Sequence, residues 1–423
     1  MADEFIISAG TVVPMNAPPI EDGAVVVSNG LIDAIMPAEK APSGLHREEY
    51  PDCILLPAFV NAHTHLVYTS FRGLADDADF FTWLTGHIMP AGTETSDDTF
   101  RESASLGVRL SFRNGITALG ESHFSTFGRQ AMVEGGMKGV YFYEVFGLGT
   151  LDLESSIRRR RQELEELLSL DSSRVRLGVS PHAPYSVTKP MAEMAVEMAR
   201  AHNLPMSTHV AETVDEIEYF ETGEGRFSDV RHNVRFPKPD GARTSLKYFD
   251  ELGILTPSTM VVHGIYLNDS DIDLIAERGS TLVTCPTSNL KLGCGIPPAE
   301  KWLERDIPVC IATDSLASGE SFDLFEEMRR FVLFQRGLTG RTDLFPAKKV
   351  LEMVTVNPAR AMGVDKMVGD LTPGTNADLL LVEPEKIGNR NFRDVYQNLV
   401  WGTRSNNIIK VWSDGVEVGL QNG

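Results

Sequence analysis

Eight short apolar segments, each carrying polar residues towards its end, constrain this chain more than any other feature. They are CILLPAFVNAHTH, GITALGESH, GVYFYEVFG, VRLGVSPHAPY, PMSTHVAE, TMVVHGIYL, TLVTCPTSN and PVCIATDS. Amphipathic runs such as RESASLGVRLSFRN and PMAEMAVEMARAHN separate most of them. Near-continuous apolar strands alternating with helices make a buried parallel sheet, and eight such units are what a closed (β/α)8 barrel requires. Active sites of such barrels lie at the C-terminal ends of the strands, which is where His, Asp, Glu, Ser and Asn collect here.

The two ends of the chain read differently. EFIISAGTVVP and GAVVVSNGLIDAIMP, then NADLLLVEPE and NIIKVWSDGVEVG, are β-rich and broken by Gly, Asn and Pro. Neither end can build a core alone, so they are expected to pack together as one small β-sandwich. The expected division is residues 1–56 for its first part, 57–365 for the barrel and 366–423 for its second part, an α/β TIM barrel inserted into a small β-domain.

With 42% hydrophobic and 23% charged residues, the chain has the balance of an ordinary globular protein. Its 59 acidic against 39 basic residues give a net charge of −20. Such a surface repels phosphate backbones and anionic lipids, so neither nucleic acid nor membrane is an expected partner. The one dense basic run, Arg158–Arg161, precedes QELEELL and reads as a solvated helix face with i,i+4 charge pairs. Four cysteines without a C-x-x-C pair do not read as a disulfide framework. The N-terminus lacks a signal-peptide pattern and no apolar run is long enough to span a bilayer, so the cytoplasm is the expected compartment.

His63 and His65 form an H-x-H pair at the end of the first strand. Alternate residues on a strand point the same way, so both imidazoles can reach one ion. His209 ends the fifth strand and Asp314 the eighth. Taken singly, a strand-end Asp reads as a helix cap and a buried His as a core residue. Together, three imidazoles and a carboxylate at one barrel mouth suit a single borderline divalent cation, zinc first and iron second. His263, ending the sixth strand, is placed to orient water or stabilise developing charge. Glu212, three residues after His209, is the candidate proton shuttle. His182, at the end of strand four, is a candidate substrate contact, or merely shapes its Pro-flanked turn.

The segments PAFVNAHTHLVYTSFRGLADD, WLTGHIMP, SPHAPYSVT, STHVAETVDE, CPTSNLKLGCGIPP, IATDSLAS and FDLFEEMR, with the tail VNPARAMGVD and VGDLTPGTNADLLLV, resemble the amidohydrolase superfamily. The likeness is to the branch of 5-methylthioadenosine/S-adenosylhomocysteine deaminases and triazine chlorohydrolases; EVFG and GESHF are similar to the aminodeoxyfutalosine deaminases. This resemblance implies that His63, His65, His209 and Asp314 are metal ligands and that Asp314 also accepts a proton from the attacking water. It implies Glu212 as proton shuttle, His263 as orienting histidine, and His182 and Trp83 among the substrate contacts. The metal-bridging lysine of binuclear relatives is missing from VSPHAPY, which points to one ion. Two positions depart from the adenosine-type pattern. Gly92 stands where an acid binds the ribose hydroxyls, and Glu144 stands where some members have an arginine. Glu94, two residues after Gly92, with Glu144 and His182 are the nearest candidates to meet those hydroxyls, and Glu212 is a further expected substrate contact.

The leading expectation is a deaminase that attacks a ring carbon bearing an exocyclic amine in an adenine-type nucleoside. The substrate would be a small heterocyclic amine, and association into a homo-oligomer is an open expectation. A triazine chlorohydrolase or a free-base deaminase is the second reading. A non-catalytic scaffold is the third, opposed by the intact set of candidate ligands and Glu212.

Overall fold

The computed structural model describes residues 4–147, 152–170, 172–228, 243–385 and 394–419. The chain opens with four strands, β1 (Glu4–Val12), β2 (Ile20–Ser28), β3 (Leu31–Pro37) and β4 (His46–Pro57). The barrel follows as β5 (Phe59–Thr64), β6 (Ile116–His123), β7 (Lys138–Val145), β8 (Val175–Pro181), β9 (Met206–Val210), β10 (Thr259–His263), β11 (Thr281–Thr284) and β12 (Val309–Ile311). Three short strands close the chain, β13 (Leu379–Val382), β14 (Ile408–Ser413) and β15 (Val416–Glu417).

The eight barrel strands pair in sequence order, all parallel, with helices on the connections. Alternation sorts their side chains. Val60, Ala62, Val140, Phe142, Met260 and Val262 fill the interior. Phe59, Tyr141, Tyr143, Val261 and Leu282 face the helical layer. Both faces are apolar because both are covered, which is why these strands read as unbroken hydrophobic runs. The barrel closes between its first and last strands. The Asp314 N–H donates to the His63 carbonyl at 3.2 Å, the Asn61 amide donates to the Thr313 hydroxyl at 2.7 Å, and the Thr313 N–H donates back to Asn61 Oδ1 at 3.2 Å.

The seven remaining strands form one mixed sheet in the order β15-β14-β13-β4-β1-β2-β3, built from both ends of the chain. The two ends thus pack together as one small β-domain, as expected, and its strands share a single hydrogen-bonded sheet that curls back on itself. The Ala377 N–H donates to the Gly30 carbonyl and the Ile32 N–H to the Thr375 carbonyl, so the β2–β3 turn meets the segment leading into β13. The segment CILLPAFVNAHTH also divides. Cys53–Pro57 belongs to β4 of this sheet, and the barrel strand starts only at Phe59. Along β13, Leu379 and Leu381 pack inside the curled sheet, whereas Leu380 and Val382 pack against the barrel. No helix among the described residues is long and apolar enough to cross a membrane.

A buried cation joins the two units. Lys138, at the start of β7, is 1% exposed. Its Nζ lies 2.8 Å from Asp378 Oδ1, 2.8 Å from Asp414 Oδ1 and 2.8 Å from the Ser413 hydroxyl. Arg174 also pairs with Asp414. Removing one member of a buried ion cluster leaves the others desolvated and unpaired. Lys138→Met is therefore expected to cost about 3–5 kcal/mol in equilibrium denaturant unfolding. A variant as stable as the parent would show that the two units do not depend on this contact.

Candidate active site

His63, His65, His209, His263 and Asp314 converge at the C-terminal mouth of the barrel, each from a strand end or the residues just after it. Strand alternation alone does not aim the first of them. Val60 and Ala62 already face the interior, which would send His63 outward with Asn61. Between Asn61 and Thr64 the register of β5 against β6 slips by one residue. An extra residue of this kind reverses the alternation and re-aims a side chain. His63 and His65 thereby reach the same mouth.

The donor atoms are close. His63 Nε2 lies 3.2 Å from His209 Nε2 and 3.7 Å from Asp314 Oδ1, and His65 Nε2 lies 3.6 Å from the same oxygen. Ligands bound at about 2.0–2.1 Å around a tetrahedral ion stand about 3.4 Å apart, so this set fits one such cation. The tautomers agree. The Nδ1–H of His65 donates to the Ser122 carbonyl at 2.6 Å and that of His209 to the His182 carbonyl at 2.9 Å, which leaves both Nε2 lone pairs facing the centre. Burial holds His63 and His209 well below the ordinary imidazole pKa, in the neutral form a cation needs. Burial alone would raise Asp314, but His65, His263 and the Ser288 hydroxyl draw it below its ordinary value. Its Oδ2 accepts from Ser288 at 2.6 Å and from Ser318 at 2.9 Å, which turns Oδ1 towards the histidines.

Glu212 and His263 sit beside this set, 4% and 1% exposed. The Nδ1–H of His263 donates to Asn289 Oδ1 at 2.8 Å, so its Nε2 faces Glu212 Oε1 at 3.3 Å as an acceptor. Burial, with Asp314 next, lifts the Glu212 carboxyl well above its ordinary pKa. The pair is suited to hold a proton between them. His263, Asp314 and Ala211, the residue before Glu212, have φ of +72°, +59° and +53°. Such backbone costs of order 1–3 kcal/mol each and persists where surrounding bonds over-determine it.

A cavity of about 430 Å³ opens above these groups. Its roof is a near-continuous helical segment: an α-turn at Phe80–Trp83, a π-turn at Leu84–Ile88 and an α-turn at Met89–Glu94. Trp83 lines the cavity with its indole N–H buried and unpartnered. Glu144 also lines it, with Oε1 buried and unpartnered, and burial pushes its carboxyl up to about 7. The His182 Nδ1 pairs with the Ser186 hydroxyl at 2.7 Å, and its ring stacks on Phe146 at 4.3 Å. The expected residues His182, Trp83 and Glu144 thus share one cavity with Glu212. Gly92 lines it too, but Glu94 is exposed and lies outside it, so it cannot stand in for the acid missing at 92.

Sequence reasoning missed several lining groups. Tyr68 and Phe124 give only the weak signal of lying just past a strand-end histidine. Arg160, inside the run read as a solvated face, turns into the cavity rim, donating to Tyr143 and Glu163, whereas Arg158 and Arg159 stay exposed.

The chain is 30% identical over 364 residues to a 5′-deoxyadenosine deaminase of Methanothermobacter thermautotrophicus, spanning 86% of this chain and 81% of that protein. It is 31% identical over 395 residues to a 5-methylthioadenosine/S-adenosylhomocysteine deaminase of Syntrophobacter fumaroxidans, spanning 92% and 86%. The crystal structure of an adenosine deaminase from Xanthomonas campestris with bound zinc superposes with a TM-score of 0.86 at 27% identity, covering 98% of this chain and 92% of that one. The family model described as the amidohydrolase family matches residues 54–418, from the last residues of β4 through the barrel to just past β15. With a match of that extent over the segment that carries the whole site, the chain belongs to the amidohydrolase family.

Proposed function

We propose that this chain is a hydrolytic deaminase of an adenine-type nucleoside, a 5′-modified adenosine, working with one zinc ion. The observation that carries the reading is the Glu212–His263 contact beside four convergent metal donors. The named activities of the 30–31% identical relatives support the substrate class.

His63, His65, His209 and Asp314 would hold the cation. A zinc ion bound there would lower the pKa of water to roughly 7 and so supply hydroxide near neutral pH. The overall change adds water across the ring carbon bearing the amine, breaks the C–N bond and releases ammonia, leaving a ring carbonyl. Glu212 takes one proton from the attacking water and gives it to the ring nitrogen. Asp314 accepts the second, which returns by way of Glu212 to the leaving amine, so that the two protons of water end one on the ring and one in ammonia. His263 keeps Nε2 towards Glu212 and the substrate because Asn289 fixes its other nitrogen. Departure as chloride would need no proton, so a buried carboxyl with a raised pKa favours an amine leaving group over a halide.

The apolar roof and Phe146 would sandwich a planar heterocycle, with Trp83, Glu144 and His182 meeting its polar groups. A hydroxyl pair left unpaired in such a site costs about 1–3 kcal/mol per group, so Glu144 and His182 are the groups expected to satisfy the ribose in place of Gly92.

Purified protein is expected to carry one zinc ion per chain by elemental analysis, and His65→Ala to lose both metal and ammonia release; full activity without metal would refute the site. Glu212→Gln should keep its metal while kcat falls by about 10²–10⁴-fold. Across adenosine, 5′-deoxyadenosine, 5-methylthioadenosine, S-adenosylhomocysteine, free bases and chlorotriazines, the highest kcat/KM should belong to a nucleoside. A free base or triazine ahead by about tenfold, some 1.4 kcal/mol in transition-state binding, would sink the substrate assignment.

A further inference from the structure

We infer that Glu216 is a positioning residue for the reaction, its carboxylate gripping the backbone of Ala211 and Glu212 so that the Glu212 carboxyl meets His263. The inference rests on the reading of Glu212 as the proton carrier.

The segment Thr213-Val-Asp-Glu216 has the pattern of a capping box, in which a Thr at the N-cap accepts from the third helical N–H and a Glu there reaches back to the N-cap N–H. Only half of that motif forms. Thr213 caps the helix Val214–Thr222, its hydroxyl accepting from the Glu216 N–H at 3.1 Å. The Glu216 side chain overshoots the N-cap. One oxygen accepts the Ala211 N–H at 2.8 Å and the other the Glu212 N–H at 3.1 Å.

Those two N–H groups belong to the strained turn that ends β9. Ala211 sits at φ +53°. On the other side of this turn, the Gly264 N–H donates to the Val210 carbonyl at 3.1 Å and the Tyr266 N–H to the Ala211 carbonyl at 2.9 Å. The turn is therefore tied on one side to the loop that follows His263 at the end of β10, and on the other to Glu216. Without the carboxylate, two buried donors lose their partners and nothing on that side opposes relaxation of the left-handed residue.

Glu216 is fully buried and forms no ion pair among the described residues. A desolvated carboxylate without a cation is a costly way to cap a helix, which the Thr213 hydroxyl already does. Two parallel backbone N–H donors, with the Ser245 hydroxyl beside them, account for it, because only a carboxylate offers an acceptor to each N–H. In Glu216→Gln, one N–H meets an amide NH₂ instead, and in Glu216→Asp the acceptors retract by one methylene.

The test measures ammonia release by the zinc-loaded wild type, Glu212→Gln, Glu216→Gln and the double variant, alongside amide hydrogen exchange of the segment 206–214. Glu216→Gln should lower kcat by about tenfold or more, since small misplacements of a catalytic group are that costly, with KM held within about threefold. In the Glu212→Gln background the same change should do nothing further, because residues acting as one unit are not additive. The Ala211 and Glu212 amides should lose protection while β9 keeps it. Should Glu216→Gln fail to fold, Glu216→Asp enters the same measurements. An equal loss in both backgrounds, an unchanged kcat, or retained protection of the two amides would each overturn the assignment. A fully active Glu212→Gln would instead remove the proton-carrier reading, and the exchange result would still decide whether Glu216 holds the turn.

Discussion

Closure of the barrel between β5 and the residues after β12 is the constraint on which the site depends. His63 and Asp314 are separated by some 250 residues of chain, yet the Asp314 N–H donates to the His63 carbonyl. That bond, with the paired exchange between Asn61 and Thr313, makes two strand ends neighbours whose order in the sheet leaves them at opposite edges. Each remaining strand then delivers its final residues to the same circle. Candidate metal donors drawn from the first, fifth and eighth strands can meet only because the circle is complete.

The mouth of that circle is held by buried side chains outside the candidate ligand set. Glu121 accepts the Leu66 N–H directly after His65 at 2.8 Å, as Glu216 accepts the N–H groups of Ala211 and Glu212 directly after β9. Ser288 and Ser318 hold the outer oxygen of Asp314. These contacts fix residues in left-handed or bulged conformations that a free strand end would abandon. Site side chains thus arrive already oriented, which keeps the reorganisation needed during the reaction small.

Much of this was legible in the residues. Eight apolar runs with polar ends specify a parallel barrel because period and burial are local properties of sequence. His63, His65, His209, Glu212, His263 and Asp314 all lie at or just past such ends, and the structure brings the six together. Other features left no local mark. The slip in β5 shows only against β6, so H-x-H alternation pointed to a shared mouth without the register shift that aims His63. Arg158–Arg161 reads as four equivalent solvated arginines until the helix phase against Tyr143 separates Arg160 from its neighbours. Glu94 looked like a substitute for the acid missing at 92, but the helical roof turns it to solvent. The curled single sheet was out of reach because its closure depends on the pairing of distant ends.

The same pairing of distant ends has a temporal side. β4 hydrogen-bonds to β1 in parallel on one edge and to β13 in antiparallel fashion on the other, and β13 lies more than 320 residues downstream. A ribosome adding about 5–20 residues per second needs roughly 16–65 seconds to supply that partner. During this interval the edge formed by Ile54–Pro57 has no neighbour, and Lys138 waits for Asp378 and Asp414. The small sheet, begun first, is therefore completed last, after every barrel strand has been synthesised. An unpaired strand edge invites pairing with other chains, so the nascent protein is exposed to aggregation at this edge until Leu379–Val382 emerge.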